Sequence, residues 1–301
     1  YPNSLGLFYS AITDLLGFAV NEGEYKMMGL AAFGKPTYYE NLRKTIKFEN
    51  NQLITNTKYY DYVRRTDRSY SNFLIDLLKV EPRQPDSPLE IGGINFQTYA
   101  DVAASAQKIL EELLFLIFKY AYDITKENKF LFSGGVAMNS AAVSKCSKLK
   151  FIHELNIPPS PGDSGAAIGA AYYGFINKKN ESSDNFISKN NILNNLFPGQ
   201  QKSNEDFFEL AFDKIADNKT SLVKAAELIA GNEIVATCYG NIETGPRALG
   251  HRSLICNAHN SQLIKKLSTE IKKRNLFRPT APVILKEFAN KYFFLENSLM
   301  N

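Results

Sequence analysis

The sequence predicts an α/β protein made of two domains. Residues 129–176 twice repeat an apolar strand, a glycine- or proline-rich loop and a helix, and residues 204–301 return to alternating helix and strand patterns. Between them, residues 178–203 are rich in Asn, Lys and Ser, with too few apolar side chains to offset the entropy of ordering. We therefore assign 1–177 to a first domain, 178–203 to a linker and 204–301 to a second domain.

Two further helices are predicted ahead of the strand and helix repeats, at 4–18 and 98–127. Between them lie a helical turn flanked by glycines at 21–36 and an insertion of short strands and helices at 37–95. Apolar residues recur every three or four positions through 98–127, which indicates an amphipathic helix. We expect this helix to pack on a sheet.

The composition excludes several classes of protein. With 44% hydrophobic and 22% charged residues the chain is typical of globular proteins, and its net charge of +4 is spread out, so no nucleic-acid partner is predicted. Its three cysteines form no CxxC pair, which favours a reducing cytoplasmic location over a disulfide framework. The most apolar stretch, 109–122, contains Glu111, Glu112 and Lys119 and indicates a buried helix, so no membrane partner is expected.

Three residues near the ends of the first domain's strands are candidates for ligand binding. Gly134 and Gly135 follow an apolar strand, where the missing side chains let backbone N–H groups approach a phosphate or ribose. The alternative is a tight turn that needs glycine only for a positive φ, with Asn139 as a helix cap.

Two acidic positions and a lysine in the first domain also admit two interpretations. Asp163 precedes a helix of small residues, where it can ligate a metal or cap the helix, and the residue alone favours capping. In segment 21–34, Glu22 could pair with ribose hydroxyls and Lys26 with a phosphate, although solvated surface charges are the default.

The second domain contains a concentration of cationic side chains. Arg247 and Arg252 flank a glycine-containing turn, where two guanidinium groups could converge on one oxyanion. Lys272, Arg274 and Arg278 add three more cations, although a basic helix face is usually only solvated. No GxSxG, Walker A or GxGxxG motif is present, so serine hydrolases, P-loop enzymes and Rossmann dehydrogenases are not indicated.

Taken together and in order, six segments resemble the signature blocks of the O-carbamoyltransferase family, which includes nodulation proteins of the NodU type and cephamycin and tobramycin carbamoyltransferases. The blocks are SLGLFYSAITDLLGF, NEGEYKMMGLAAFG, FSGGVAMN, PPSPGDSGAAIGAA, GPRALGHRS and IKKRNLFRPTAP. The resemblance covers nearly the whole chain and is weakest over 37–95 and the linker. It implies that the first domain is the second half of an actin/hexokinase-like (ASKHA) domain, as in the universal tRNA threonylcarbamoyl transferases. The second domain would then be part of a YrdC-like α/β domain.

The resemblance also implies an activity. In such enzymes the YrdC-like domain joins carbamoyl phosphate and ATP into carbamoyl-adenylate, with loss of pyrophosphate and phosphate. The other domain then transfers the carbamoyl group to a hydroxyl. The expected partner is a small acceptor alcohol, either a sugar or a natural product, and a homodimer is left open.

Residue roles follow from the same resemblance, position by position. Arg247, Arg252 and Lys272 would act on carbamoyl phosphate and ATP in catalysis, with Arg274 and Arg278 binding these substrates. Gly134, Gly135 and Asn139 would hold the adenylate, and Glu22 and Lys26 would lie at its nucleotide. Asp163 would ligate a divalent metal, with iron the expected ion, which would polarise the carbamoyl carbonyl as a Lewis acid. Magnesium would accompany ATP.

The chain is expected to be a fragment, because it opens at Tyr1 without Met. By resemblance, paired histidines that complete the metal site lie upstream, and the end of the YrdC-like domain lies downstream. Two other functions stay open. One is a nucleotide-binding module without catalysis. The other is an enzyme like the threonylcarbamoyl transferases or sugar kinases, which would share the SGG and GDSG loops but leave GPRALGHRS and FRPTAP unexplained.

Overall fold

The computed structural model describes residues 1–85, 87–179, 218–238, 240–243, 245 and 247–293. Its contacts divide the chain into two compact units. The first contains Tyr1–Ile157 together with the stretch that starts at Asn275, and the second contains Pro158–Arg274. Apart from its first two residues, the predicted linker 178–203 lies outside the described residues. Both units mix helices and strands, so the predicted α/β class is confirmed.

The first unit is built mainly of helices, with two small sheets. Its helices are α1 (Leu5–Leu15), α2 (Glu24–Ala31), α3 (Tyr39–Arg43), α4 (Asn72–Leu78), α5 (Phe96–Thr125) and α6 (Ser140–Cys146). Its strands are β1 (Ile46–Glu49), β2 (Gln52–Thr55), β3 (Lys129–Leu131) and β4 (Glu154–Asn156). Short 3-10 turns lie at Thr57–Tyr59 and Gly135–Met138.

Helix α5 is the centre of the first unit. Its 30 residues span about 45 Å. The apolar side chains at Val102, Ala106, Ile109 and Leu113 are buried with the spacing predicted for an amphipathic helix. The expectation that α5 packs on a sheet is only partly correct. It packs mainly on α1, α2, α3 and α6, whereas its contacts with strands are fewer and include β1.

The two sheets of the first unit have different topologies. Strands β1 and β2 form an antiparallel hairpin that pairs Glu49 with Gln52. Its two-residue turn, Asn50 and Asn51, has positive φ at both positions, as a type I′ turn requires. Strands β3 and β4 pair in parallel and are connected through α6, which confirms the predicted strand, loop and helix repeat. The glycine loop, residues 133–139, begins two residues after β3.

The second unit contains helices α7 (Asp163–Lys179), α8 (Asn218–Ala230) and α9 (Ser261–Lys266), the last continued by a π-helical turn at Leu267–Ile271. Strands β5 (Val235–Cys238) and β6 (Arg252–Ile255) pair antiparallel, with Cys238 opposite Arg252. None of the helices in the described part of the chain is both long and apolar enough to cross a membrane.

The stretch after Asn275 returns to the first unit because Phe277 is anchored there. Only 2% of Phe277 is exposed, and the centre of its ring lies 6.3 Å from the ring centres of both Phe18 and Phe96. The side-chain amide of Asn275 donates a hydrogen bond to the carbonyl oxygen of Leu89 at 3.3 Å. Helix α10 (Lys286–Tyr292) follows this anchored segment.

Candidate functional site

The glycine loop presents its backbone to open space. Gly134 has a φ of +101°, a conformation that side-chain-bearing residues rarely adopt. Apart from the glycine itself and its two chain neighbours, nothing would lie within 4 Å of a Cβ atom added at Gly134 or at Gly135. The positive φ at Gly134 agrees with the tight-turn role. The open space at both glycines agrees with the ligand-binding role, because a ligand must approach the backbone closely.

Asn139 ends the glycine loop with its side chain turned into the protein. The residue is 8% exposed. Its Oδ1 accepts a hydrogen bond from the Ala142 N–H at 3.0 Å, so Asn139 caps the start of α6. The same Oδ1 accepts from Gln107 Nε2 at 3.0 Å, and Asn139 Nδ2 donates to Gln107 Oε1 at 3.0 Å. Capping, one of the two predicted roles, is therefore what its side chain does in this structure.

Gln107 of α5 joins this cap to two more polar residues that the sequence analysis did not select. The Tyr9 hydroxyl donates to Gln107 Oε1 at 2.8 Å, and Gln107 Nε2 donates to Glu111 Oε1 at 3.0 Å. Glu111 also forms an ion pair with Lys145 of α6. Burial raises the pKa of the Tyr9 hydroxyl far above its ordinary value, which a hydrogen bond with Asn139 only partly offsets, so Tyr9 stays a protonated donor. A glutamine in the apolar stripe of α5 is the sequence signal that could have indicated this network.

The residues predicted to lie at the nucleotide flank the start of α2. Glu22 is exposed ahead of the helix, and Lys26 lies, half-buried, in its first turn. Between them, Glu24 Oε1 accepts from the Ser10 hydroxyl at 2.6 Å and from the Asn21 N–H at 3.0 Å. The Glu24 carboxylate is thus used within the protein to join α1 to the start of α2.

Arg278 lies beside the same helix. Its guanidinium carbon is 4.6 Å from the centre of the Tyr25 ring, within the range of a cation–π contact. A Cβ added at Gly29 would lie 3.3 Å from the carbonyl oxygen of Phe277, which shows how closely the FRP segment approaches α2. The structure therefore brings Arg278 together with the helix of Lys26, within the first unit.

The arginine loop, which runs from Glu243 to Arg252, is organised by an acid that the sequence analysis overlooked. One oxygen of Glu243 accepts hydrogen bonds from the backbone N–H groups of Leu249 at 3.1 Å, His251 at 2.9 Å and Arg252 at 2.8 Å. Partial desolvation opposes ionisation of this carboxyl, but the backbone donors outweigh it and lower its pKa to about 2. The acid two residues before GPRALG is the signal that could have identified it.

Five cationic residues are predicted for the second domain. The four that precede Asn275 along the chain lie in the second unit. Arg247 is exposed on the arginine loop. The Arg252 guanidinium donates to the carbonyl oxygens of His251 at 3.0 Å and Gly240 at 3.1 Å. Lys272 is exposed and Arg274 is half-buried just after the π-helical turn.

Two of the predicted blocks touch within the second unit. A Cβ added at Gly245, whose φ is +87°, would lie 2.3 Å from the carbonyl oxygen of Pro159. The start of GPRALG therefore packs on the PPSPGD segment that leads into α7. A Cβ at Gly165 would likewise lie 2.0 Å from the Ser160 carbonyl oxygen, so the first turn of α7 requires glycine for close packing.

Asp163, the predicted metal ligand, is the first residue of α7 and is exposed. Within the described ranges, no three His, Cys, Asp or Glu side chains lie together in a group that could hold a metal ion. One carboxylate does not make an iron site, since such sites take several protein ligands. The described residues therefore do not form the implied metal site by themselves, and metal binding at Asp163 stays a prediction.

Comparison with known proteins matches both parts of the chain to one family. The family model described as carbamoyltransferase N-terminus matches residues 1–172, and the model described as carbamoyltransferase C-terminus matches residues 226–300. These matches agree with the resemblance drawn from the six sequence blocks.

Similar proteins include a cyanobacterial and two rhizobial proteins. The chain is 31% identical to an uncharacterized protein of Synechocystis sp., with 98% of the chain and 48% of the relative covered. It is 28% identical to nodulation protein NolNO of Sinorhizobium fredii (98% and 41% covered) and 27% identical to nodulation protein NolO of Bradyrhizobium diazoefficiens (97% and 50%). The chain thus spans about half the length of the curated relatives it matches. With family models matching 1–172 and 226–300, the chain belongs to the carbamoyltransferase family.

Proposed function

We propose that this chain is part of an ATP-dependent O-carbamoyltransferase that makes carbamoyl-adenylate and passes its carbamoyl group to the hydroxyl of a sugar or natural product. The observation that supports this most is the match of one family to both parts of the chain. The loop geometries described above add support, because each leaves groups suited to anionic substrates at the surface.

The proposed reaction has three balanced steps. Water cleaves carbamoyl phosphate to carbamate and phosphate. A carbamate oxygen then attacks the α-phosphorus of ATP, the bond to the bridging oxygen breaks, and pyrophosphate leaves. Finally the acceptor hydroxyl oxygen attacks the carbamoyl carbon, AMP leaves with the former carbamate oxygen, and the hydroxyl proton passes to solvent or a base.

Activation of carbamoyl phosphate is assigned to the second unit. Carbamoyl phosphate and ATP are both polyanions, and cationic donors held in place stabilise the charge that develops during their reaction. Arg247 is exposed on the arginine loop, whose backbone donates hydrogen bonds to Glu243. Arg252 is the first residue of β6, at the end of that loop. Lys272 and Arg274 supply further positive charge from the end of the π-helical turn.

Transfer is assigned to the first unit. The backbone at Gly134 and Gly135 is open to a phosphate or ribose, and Asn139 holds the end of the loop. Lys26 and Arg278 lie at α2, where they could neutralise the adenylate phosphate, and Glu22 could accept from ribose hydroxyls.

The remaining parts of the proposal concern ions and location. Magnesium would accompany ATP, since its phosphates bind that ion. Asp163 is assigned as a ligand of a divalent metal, expected to be iron, but no step above is derived from that metal. The free thiols at Cys146, Cys238 and Cys256 favour a reducing compartment, so we place the enzyme in the cytoplasm.

Pyrophosphate release by the full-length protein tests this function. With ATP and carbamoyl phosphate present, release is expected, and omission of carbamoyl phosphate should abolish it. Arg247→Ala should lower the rate by roughly 100-fold because one preorganised donor to developing charge is lost. Arg64→Ala, which changes an exposed arginine of the first unit, is the matched control. Mass spectrometry with candidate sugars should then detect a product heavier by one carbamoyl group. No pyrophosphate release from the full-length protein contradicts the proposal.

A further inference from the structure

We propose that Gln107 is a positioning residue for carbamoyl transfer, which holds the glycine loop in its adenylate-binding conformation through Asn139. This inference rests on the proposed function, because it concerns the loop to which adenylate binding was assigned. Nothing in the sequence motifs selects Gln107, which lies 32 residues from Asn139 on the central helix α5.

The hydrogen-bonding capacity of the Gln107 side chain is fully used. An amide side chain has two donor hydrogens and an acceptor oxygen with two lone pairs. Oε1 accepts from the Tyr9 hydroxyl at 2.8 Å and from Asn139 Nδ2 at 3.0 Å. Nε2 donates to Asn139 Oδ1 and to Glu111 Oε1, both at 3.0 Å. Gln107 is 7% exposed, so water has little access to replace these partners.

The orientations of the two amides are set independently and agree. The N–H of Ala142 at the start of α6 requires the oxygen of Asn139 to face it. The carboxylate of Glu111 requires the nitrogen of Gln107 to face it, since an oxygen there would be repelled. With each amide fixed in this way, oxygen faces nitrogen in both contacts between Gln107 and Asn139. A rotation of either amide would place like atoms against each other.

This pairing fixes the position of the loop end relative to α5. Asn139 is bound through its side chain to Gln107 and α6, and its backbone N–H donates to the Val136 carbonyl oxygen at 3.0 Å. The Ala137 N–H in turn donates to the Gly134 carbonyl oxygen at 3.0 Å. A chain of hydrogen bonds therefore runs from Gln107 to the exposed glycine. The adenylate would meet a loop already held in one conformation, which lowers the entropy lost on binding.

A leucine at position 107 keeps most of the volume but removes all four hydrogen bonds. Asn139 would still cap α6 through Ala142, so the helix would persist while the loop end loses its connection to α5. Activation of carbamoyl phosphate is assigned to the second unit, which this substitution does not touch. The proposal therefore predicts that the rate of carbamoyl transfer falls and that the rate of pyrophosphate release does not.

The experiment compares the two half-reactions in full-length protein carrying Gln107→Leu, Tyr9→Phe or Gln97→Leu. Gln97 lies exposed on the same helix and provides the matched control. For Gln107→Leu, pyrophosphate release should stay within roughly twofold of the unmodified protein, and the carbamoylated product should form roughly tenfold more slowly. Tyr9→Phe, which removes one donor and keeps the ring, should slow transfer by roughly threefold. Gln97→Leu should change neither rate.

Each outcome decides the proposal. Equal transfer by Gln107→Leu and unmodified protein overturns it, and so does an equal loss in both half-reactions, which indicates a general structural defect. If Gln107→Leu does not fold, Tyr9→Phe decides alone, and an unchanged ratio of the two rates overturns the proposal. Absence of pyrophosphate release from the unmodified protein is a separate result, which removes the proposed function and this inference together.

Discussion

Replacing Arg83 by alanine is expected to destabilise the first unit by about 3 kcal/mol. The residue is only 8% exposed, and its guanidinium is held by main-chain carbonyls. Nε donates to the Leu16 oxygen at 2.7 Å, Nη2 to the Gly17 oxygen at 2.7 Å, and Nη1 to the Ser87 oxygen at 2.6 Å. The guanidinium carbon also lies 4.9 Å from the centre of the Phe18 ring. The side chain therefore connects the end of α1 to the segment after α4.

The magnitude follows from the acceptors that the substitution leaves without a donor. A buried acceptor that loses its hydrogen-bond donor costs about 1–3 kcal/mol. We use the low end, about 1 kcal/mol for each acceptor, because water that enters the space left by the side chain can donate to these oxygens. The three acceptors together then give about 3 kcal/mol. For a unit of this size the midpoint of thermal unfolding should fall by roughly 6–12 °C. Calorimetry of the full-length protein measures the shift for the transition of the first unit.

Two variants separate this effect from a change of charge. Arg83→Lys keeps the charge but loses the planar fork, so it should cost about half as much. Arg64→Ala removes a charge from an exposed position and should stay within about 0.5 kcal/mol of the unmodified protein. The reasoning is refuted if Arg83→Ala unfolds at the same temperature as Arg64→Ala.

Three further predictions concern the loops. Gly134→Ala places a side chain at a φ of +101°, so the glycine loop should shift and carbamoyl product should form roughly tenfold more slowly. Gly245→Ala places a side chain at a φ of +87° and a Cβ only 2.3 Å from the Pro159 carbonyl oxygen, so the arginine loop should be displaced. We expect slower pyrophosphate release and faster amide hydrogen exchange in that loop. The pKa of Glu243 is lowered, so its contribution to the stability of that loop is complete above pH 4.5 and is lost as the pH falls toward about 2. Hydrogen exchange of the Arg252 amide measures this loss.

Matched controls exist for the changes at Gly134 and Glu243. Gly6→Ala, within α1, adds a Cβ that would lie 3.7 Å from Ser4 Oγ and 3.7 Å from Val136 Cγ2 of the glycine loop. Both are ordinary van der Waals distances at a helical backbone position, so this variant should be neutral or stabilise the helix by up to about 1 kcal/mol. A transfer rate for Gly134→Ala equal to that of Gly6→Ala would contradict the role of the positive φ. Glu243→Gln should speed exchange of the Arg252 amide at neutral pH, whereas Glu287→Gln at an exposed site of α10 should not. Equal exchange in both variants would contradict the role assigned to Glu243.

The sequence alone was sufficient for the features that depend on local patterns. The apolar period predicted α5, and the alternation of strand, glycine loop and helix predicted β3 through α7. The six ordered blocks identified the family that the comparisons then matched. These signals are readable because helix periodicity, turn glycines and motif residues are properties of neighbours in the chain.

Other features are visible only in the tertiary structure, since they depend on residues far apart in sequence. The pairing of Gln107 with Asn139 spans 32 residues, and the packing of Phe277 against Phe18 joins the two ends of the described chain. Glu243 needs the arginine loop to fold back before three N–H groups meet its carboxylate. A glutamine, a phenylalanine or a glutamate has no local signature that names its partner. Only the folded chain decides which buried polar groups can satisfy one another, because burial removes the water that would otherwise do so.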